Sequence, residues 1–292
     1  MVRNGEWVTI TASGKTVAVT ASGKTLGNLP GISEKHRLSA LEKALETWEA
    51  LPDADKKPTQ LALGTPDPER PLYQPPSDAL IVRVFNRQFE WQDKGKLRYT
   101  VEEDYAEGEG KRGWARFRES AQDTMWIPKN EWTAFIPKEP QEGQSFSPPA
   151  TFTLRLFKYH LDPERGLGEG VTFRGAKLED GELTLTVEKV TPAIVQLRLD
   201  GVARLSQGRP DDKQTRYDTA LLGHITCDRK KGTITQFDMV VLGDVLNTPR
   251  RVRPGWHPLG IAFELVTEPT NAELVVPRGG RDNAERYLTM TR

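Results

Sequence analysis

From Val195 to Leu205 the odd positions read Val195, Leu197, Leu199, Gly201, Ala203 and Leu205, while Gln196, Arg198, Asp200 and Arg204 hold even ones. A period of two sets one side of a strand on a core and the other in water. Glu182 to Lys189 repeats the pattern, with Leu183, Leu185 and Val187 against Glu182, Thr184, Thr186 and Glu188. Thr191 and Pro192 separate the two runs, where a proline interrupts pairing without leaving a ladder bond unmade. A hairpin follows. With Arg229 to Gly232 as its loop and Gly232 at positive φ, Asp228 lies opposite Thr233. The same count sets His224 opposite Phe237, Leu222 opposite Met239 and Ala220 opposite Val241. One face then carries those six side chains, and the other carries Leu221, Ile225, Cys227, Ile234, Val240 and Leu242 with Gln236 and Asp238. Both faces read as largely apolar, which predicts a hairpin covered on both sides. Residues 182–244 thus read as a central meander of four antiparallel strands.

The remaining elements are arranged around it. Val8, Ile10, Val17 and Val19 flank two copies of Thr-Ala-Ser-Gly-Lys-Thr, at 11–16 and 20–25, which predicts a hairpin with Ser-Gly turns. Each copy ends in Gly-Lys-Thr, but Thr9 and Ala18 stand where a phosphate loop needs glycine, and Val17 and Val19 continue a strand. Leu38, Leu41, Leu45 and Trp48 recur at three- and four-residue spacing, so Ser33 to Leu51 predicts an amphipathic helix between an N-cap serine and Pro52. Pro52 to Pro76 is proline-dense and poor in apolar residues, an extended strap. Ala79 to Trp91 predicts a strand returning through an Asp-Lys-Gly turn into Leu97 to Val101. Trp126 to Pro137 predicts one short helix, with Pro128 in its first turn and Pro137 as its stop. Thr151 to Leu161 fits a strand and a helix equally. Pro249 to Pro258 reads as an irregular basic loop, Leu259 to Val266 as a strand, and the tail beyond Pro269 as polar apart from a few aliphatics.

The fold class is therefore α+β, mainly antiparallel. The Ser33–Leu51 helix covers part of the central sheet, and a short tryptophan-bearing helix lies at its margin. The domain layout is an N-terminal hairpin and helix over 1–52, a strap over 53–78 and a main β domain over 79–292.

Composition narrows the partners. With 41 basic and 41 acidic residues the formal charge is zero, so no global field draws the chain to nucleic acid or anionic lipid. Lys111 to Arg118 interleaves cations with aromatics, a pattern used on single strands. Glu102, Glu103 and Asp104 lie beside it, which favours a solvated loop with internal ion pairs. No stretch reads as a membrane span and no signal peptide is visible. The single cysteine, Cys227, excludes a disulfide framework within the chain and reads as a small buried hydrophobe. No G-x-S-x-G occurs. His36, His160, His224 and His257 are isolated in sequence, so only the fold can join them. No metal or cofactor is indicated. The candidate ligand-binding residues are Trp126 and Trp132, from an aromatic cluster suited to lipid or sugar, with His160, His224, Trp256 and His257. Arg250, Arg251 and Arg253 beside His257 offer an anion site.

A proline-rich lead into Gly143 to Phe146, then Gly223 to Asp228, a glycine turn and Phe237 to Gly243, resembles β-rich domains of bacterial cell-envelope proteins of the lipoprotein-carrier type. The resemblance covers residues 140–266. It implies an exported protein whose curved sheet wraps over helices and holds a lipid-like ligand between them, and it transfers no residue. The leading expectation is a non-catalytic extracytoplasmic binding or assembly module, periplasmic or secreted, for a hydrophobic molecule, a glycan or an envelope protein. The alternatives are a hydrolase with dispersed carboxylates or histidines and, less favoured, nucleic-acid binding through 111–118.

Overall fold

The computed structural model describes residues 7–12, 15–20, 24–29, 34–57, 74–108, 110–111, 114, 118–161, 177–207, 215–247, 253–270, 273–281 and 283–290. The chain falls into two units, 1–71 and 72–292. In the first, strands β1 (Trp7–Ala12), β2 (Lys15–Thr20) and β3 (Thr25–Leu29) form an antiparallel sheet in that order. Lys15 and Thr16 begin a strand rather than a helix, and the Ser-Gly turns of the repeat, at 13–14 and 22–23, lie outside the described residues. The helix Glu34–Glu49 follows. Only part of the expected stripe packs on this small sheet: Ala44, Ala18 and Leu26 are buried together, with Ala40, Leu41, Trp48 and Leu51 against them, whereas Leu38 and Leu45 are exposed. The strap holds one helical turn, Asp53–Lys56, and its residues 58–73 lie outside the described ones.

The second unit is mostly antiparallel sheet with few helices. Its strands are β4 (Leu80–Gln92), β5 (Lys96–Tyr99), β6 (Ala121–Ile127), β7 (Ser145–Phe146), β8 (Lys177–Val190), β9 (Ile194–Gln207), β10 (Thr215–Asp228), β11 (Thr233–Leu246) and β12 (Trp256–Leu265). The order across the sheet is β5-β4-β12-β11-β10-β9-β8-β7, and β6 also pairs with β4.

The β10–β11 turn forms as the sequence predicts, but the register beyond it does not. Gly232 takes φ 61°, and Asp228 Oδ1 accepts the Lys230 and Lys231 amides at 2.8 and 3.0 Å. Asp228 pairs with Thr233 and Cys227 with Ile234, after which Thr226 pairs with Gln236. Thr235 is the extra residue of a β-bulge. A one-residue slip moves every later side chain of a strand to the other face. Ile234, Phe237, Met239, Val241 and Val245 consequently join Tyr217, Leu221, Ile225 and Cys227 on one buried face. His224 lies opposite Asp238, Leu222 opposite Val240 and Ala220 opposite Leu242. The hairpin is not covered on both sides. Leu222 is 47% exposed, Val240 55% and Leu242 38%, all on the solvent face.

Helices cover the buried face. Thr151 to Leu161 resolves as helix, Ala150–Arg155 continuing into a wider π turn over Leu156–His160. Phe152, Leu156, Phe157 and Leu161 join Trp132 and Phe135 in one core cluster with the inner residues of β4, β6 and β8 to β12. Phe152 meets Phe135 edge-on at 4.9 Å and Phe237 at 6.4 Å, so aromatic rings fill the layer between sheet and helices. Trp126 to Pro137 is not one helix. Trp126 belongs to β6, Pro128 ends that strand, and a short turn follows over Lys129–Trp132 and Thr133–Phe135. Proline has no N–H for the ladder and its fixed φ suits a first helical turn, so the boundary falls there.

Pro258 also sits within a strand, since β12 begins at Trp256 rather than after the basic loop. Nor is the tail merely polar. Arg278–Gly280 and Ala284–Thr289 are helical turns, and Tyr287 is fully buried.

Candidate functional site

Outer-facing positions of the β4–β6 ladder are Ile81, Arg83 and Phe85 on β4, opposite Trp126, Thr124 and Gln122 on β6. The C-terminal segment lies over the first of these pairs. Ile81, Trp126 and Tyr287 are buried as a cluster with Tyr159, Val266, Leu274, Val276 and Leu288 packed on them. A buried polar network fixes the segment. The Tyr287 hydroxyl accepts the Trp126 backbone N–H at 3.2 Å and stands 2.8 Å from His160 Nε2. Arg155 is wholly buried. It donates to the carbonyls of Tyr287 at 2.9 Å and Leu288 at 2.6 Å, and forks onto Glu131, with one arm at 2.9 Å. Arginine suits this role because its guanidinium is planar and fits a carboxylate with two parallel bonds.

Beyond the clamp, the segment and ladder stand apart and leave a cleft of about 620 Å3. Its floor is Arg83, Phe85, Gln122, Asp123 and Thr124. Its wall is Thr270, Glu273, Val275, Val276 and Arg281. The wall is tied to the floor at three points. Arg83 Nε donates to Glu273 Oε1 at 3.0 Å, Thr124 Oγ1 to the Val275 carbonyl at 3.2 Å, and the Arg278 amide to Asp123 Oδ1 at 3.0 Å. Glu273 also accepts the Thr270 amide and hydroxyl at 2.9 and 3.0 Å. The Thr270 amide and the Arg83 guanidinium stabilise its charged form and hold its carboxyl down to about 2. Arg83 has a second acid, Glu264 Oε2, at 3.2 Å. Phe85, Val275 and Val276 give the cleft an apolar lining, and Arg281 is exposed at its rim.

The candidates from sequence occupy five environments. Trp126 and His160 meet through Tyr287, inside the clamp. Trp132 is buried in the main core, where its indole donates to the Asp78 carbonyl at 2.9 Å. His224 lies on the solvent face of β10, 3.5 Å from Glu188. His257 Nδ1 is 3.5 Å from Glu90, at the far end of β12. The histidines thus do not converge, and no group of three metal-ligating side chains occurs among the described residues. Trp256 is the exposed aromatic of the set, with the Arg216 guanidinium 5.8 Å from its ring. Trp91 is exposed on β4, and its indole donates to Asp244 at 2.9 Å.

Of the three arginines offered beside His257 as an anion site, Arg253 is held in a buried ion pair. Arg253 has no exposed surface, binds Glu90 and the Phe89 carbonyl at 3.0 Å, and stacks 5.3 Å from the Tyr105 ring. Arg250 and Arg251 lie outside the described residues. In the basic run, Lys111 pairs with Glu107 at 2.8 Å, and 112–113 and 115–117 lie outside the described residues.

None of the cleft residues was a sequence candidate. Arg83 and Phe85 alternate along a strand like any others, and Glu273 and Arg281 lie in a tail without periodicity. No helix among the described residues is long and apolar enough to cross a membrane. Comparison of the chain with protein families, with curated proteins and with solved structures finds no match.

Proposed function

We propose that the chain is a non-catalytic binding module whose cleft between the β4–β6 ladder and the C-terminal segment takes a small amphipathic molecule. The observation that carries this reading is the cleft itself. Its volume falls within the roughly 300–1,000 Å3 of small-molecule sites, it has an apolar lining, and Arg281 stands at the rim to meet an anionic end. Hydrolysis is less well supported. A glycosidase needs one carboxylic acid kept protonated near neutral pH. Of the two acids among the described residues of the cleft, Glu273 is held ionised by Thr270 and Arg83, and Asp123 spends one oxygen on the Arg278 amide. A glycan stacked on Trp91 and Trp256 is the second reading, favoured by their exposure on the same strand system.

An extracytoplasmic address belongs to the same proposal and rests on the resemblance of residues 140–266. The layer in which that family type would hold a lipid is packed here with Phe135, Phe152 and Phe157, so the ligand site is placed on the outer face instead.

Titration of the full chain with straight-chain carboxylates from hexanoate to decanoate, followed by amide chemical shifts, tests the reading. Shifts gathered at Phe85, Thr124, Val275, Val276 and Arg281 support it. Shifts confined to Trp91, Trp256 and Asp244 move the site to the second reading, and no shift at millimolar ligand overturns the cleft.

A further inference from the structure

We propose that the ligand of the cleft is a single-chain amphiphile whose chain leaves the cleft and lies across the open face of the large sheet. This rests on the cleft reading and names the ligand it takes. Phe85 belongs to both places. It is part of the cleft floor, and it begins a row of apolar side chains that crosses the strands. Ala262 lies opposite it on β12, Val240 opposite Ala262 on β11, and Leu222 opposite Val240 on β10. Directly opposed residues of an antiparallel pair share a face. The row is therefore one strip, about 14 Å long from three strand spacings. Its outer members, Val240 and Leu222, stand exposed. Exposed apolar surface of this kind marks an interaction site, and its continuity with the cleft through Phe85 says what covers it.

The strip is bordered on the sides the cleft leaves. Along one side runs a row of charged residues that already have partners. Arg83 holds Glu264 at 3.2 Å, Gln236 donates to Asp238 at 2.6 Å, and His224 stands 3.5 Å from Glu188. A chain laid beside them disturbs none of these pairs. On the other side the Phe89 ring lies against Gly260 and fills the next row at β12. At the far end Leu222 faces Asp200 on β9, which pairs with Arg198 at 3.3 Å.

The direction of the ligand follows from the wall. The Arg278 amide is bonded to Asp123 of β6, and the Arg281 amide to the Arg278 carbonyl at 3.3 Å, so Arg281 stays on the β6 side. β6 and β12 flank β4 on opposite edges. An anionic head at Arg281 therefore sends the chain over β6 and β4 and out along β12, β11 and β10. A methylene on an open face leaves water on one side only, so each should improve affinity by up to about twofold, half the exponent of full burial. The gain should stop where the chain reaches Leu222, because Asp200 offers no apolar surface beyond it.

Displacement of 1-anilinonaphthalene-8-sulfonate from the full chain by straight-chain carboxylates from octanoate to octadecanoate, each below its micelle concentration, tests this. Circular dichroism melts are the control for folding. Hexadecanoate should displace the dye at least about tenfold better than decanoate. Leu222→Asp and Val240→Asp should bring the two ligands within about threefold of each other and leave decanoate unchanged. A nitroxide at the methyl end of the chain should broaden the amides of Leu222 and Val240, and one beside the carboxylate those of Thr124 and Arg281. Affinity that levels off at decanoate in the unaltered chain overturns the strip and leaves the cleft standing, whereas no displacement by decanoate removes both. A chain-length series that both variants leave unchanged overturns the proposal. So does loss of a dimer in those variants on sedimentation, which would give the strip to a second copy.

Discussion

Thr226 lies opposite Gln236, its hydroxyl 3.1 Å from the Gln236 side-chain oxygen. Counting back from the turn would place Thr235 there. The bulge at Thr235 therefore decides which face of β11 enters the core, and it places Ile234 and Phe237 on the same side. Deleting Thr235 removes the extra residue but keeps Thr226 opposite Gln236 and Ile225 opposite Phe237, so Phe237, Met239, Val241 and Val245 should stay inward. Phe237→Ala, which empties a buried site, should cost about 3–5 kcal/mol, and the deletion should cost clearly less. Thr235→Ala keeps the residue count and should cost under about 1 kcal/mol. Urea denaturation of the three variants checks this; a deletion as costly as Phe237→Ala would mean that Thr235 is not the extra residue.

The Arg155–Glu131 pair predicts a second asymmetry. Removing one member of a buried pair costs about 3–5 kcal/mol, because the other charge is left buried alone. Arg155→Met should therefore destabilise strongly and free the Tyr287 and Leu288 carbonyls. Replacing both residues, Arg155→Met with Glu131→Met, should recover much of the loss. A double-mutant cycle read by denaturant melts gives the coupling, and a single-variant cost under about 1 kcal/mol would equate the pair with a surface ion pair.

Glu273 sets a pH dependence. Its folded carboxyl titrates at about 2, below the ordinary value of 4.5. A lowered folded value stabilises the folded state above pH 4.5, and that contribution is lost as pH falls toward 2. The wall of the cleft should therefore loosen on acidification through this window, seen as faster proteolysis within residues 270–290. Glu273→Gln should show the faster cleavage already at neutral pH. An unchanged cleavage rate in that variant would separate Glu273 from the wall's attachment.

How much of this was legible in the chain follows from the range of each signal. Alternation in Glu182–Lys189 and Val195–Leu205 is local, and those residues do form strands with Leu183, Leu185, Leu197 and Leu199 inward. The turn at Asp228–Gly232 is local too. The bulge is not: Thr235 carries no mark of its own, and the apparent two-sided burial of the hairpin came from counting through it. The clamp was hidden for another reason. Trp126, His160 and Tyr287 come from a strand, a π turn and a six-residue helix in the tail, and only tertiary packing brings them together. Trp126 and His160 were singled out singly, while Arg155, Glu131 and Tyr287, which complete the cluster, have no sequence signature.

The binding of 1-anilinonaphthalene-8-sulfonate, an apolar ring system with an anionic end, tests the cleft most directly. Val275→Asp and Arg281→Glu change exposed groups of the wall, so the fold should survive, and each should weaken binding at least about fivefold, roughly 1 kcal/mol. Leu222→Asp on the open sheet should leave it unchanged. Weakening by Leu222→Asp with full binding by the two wall variants would contradict the site.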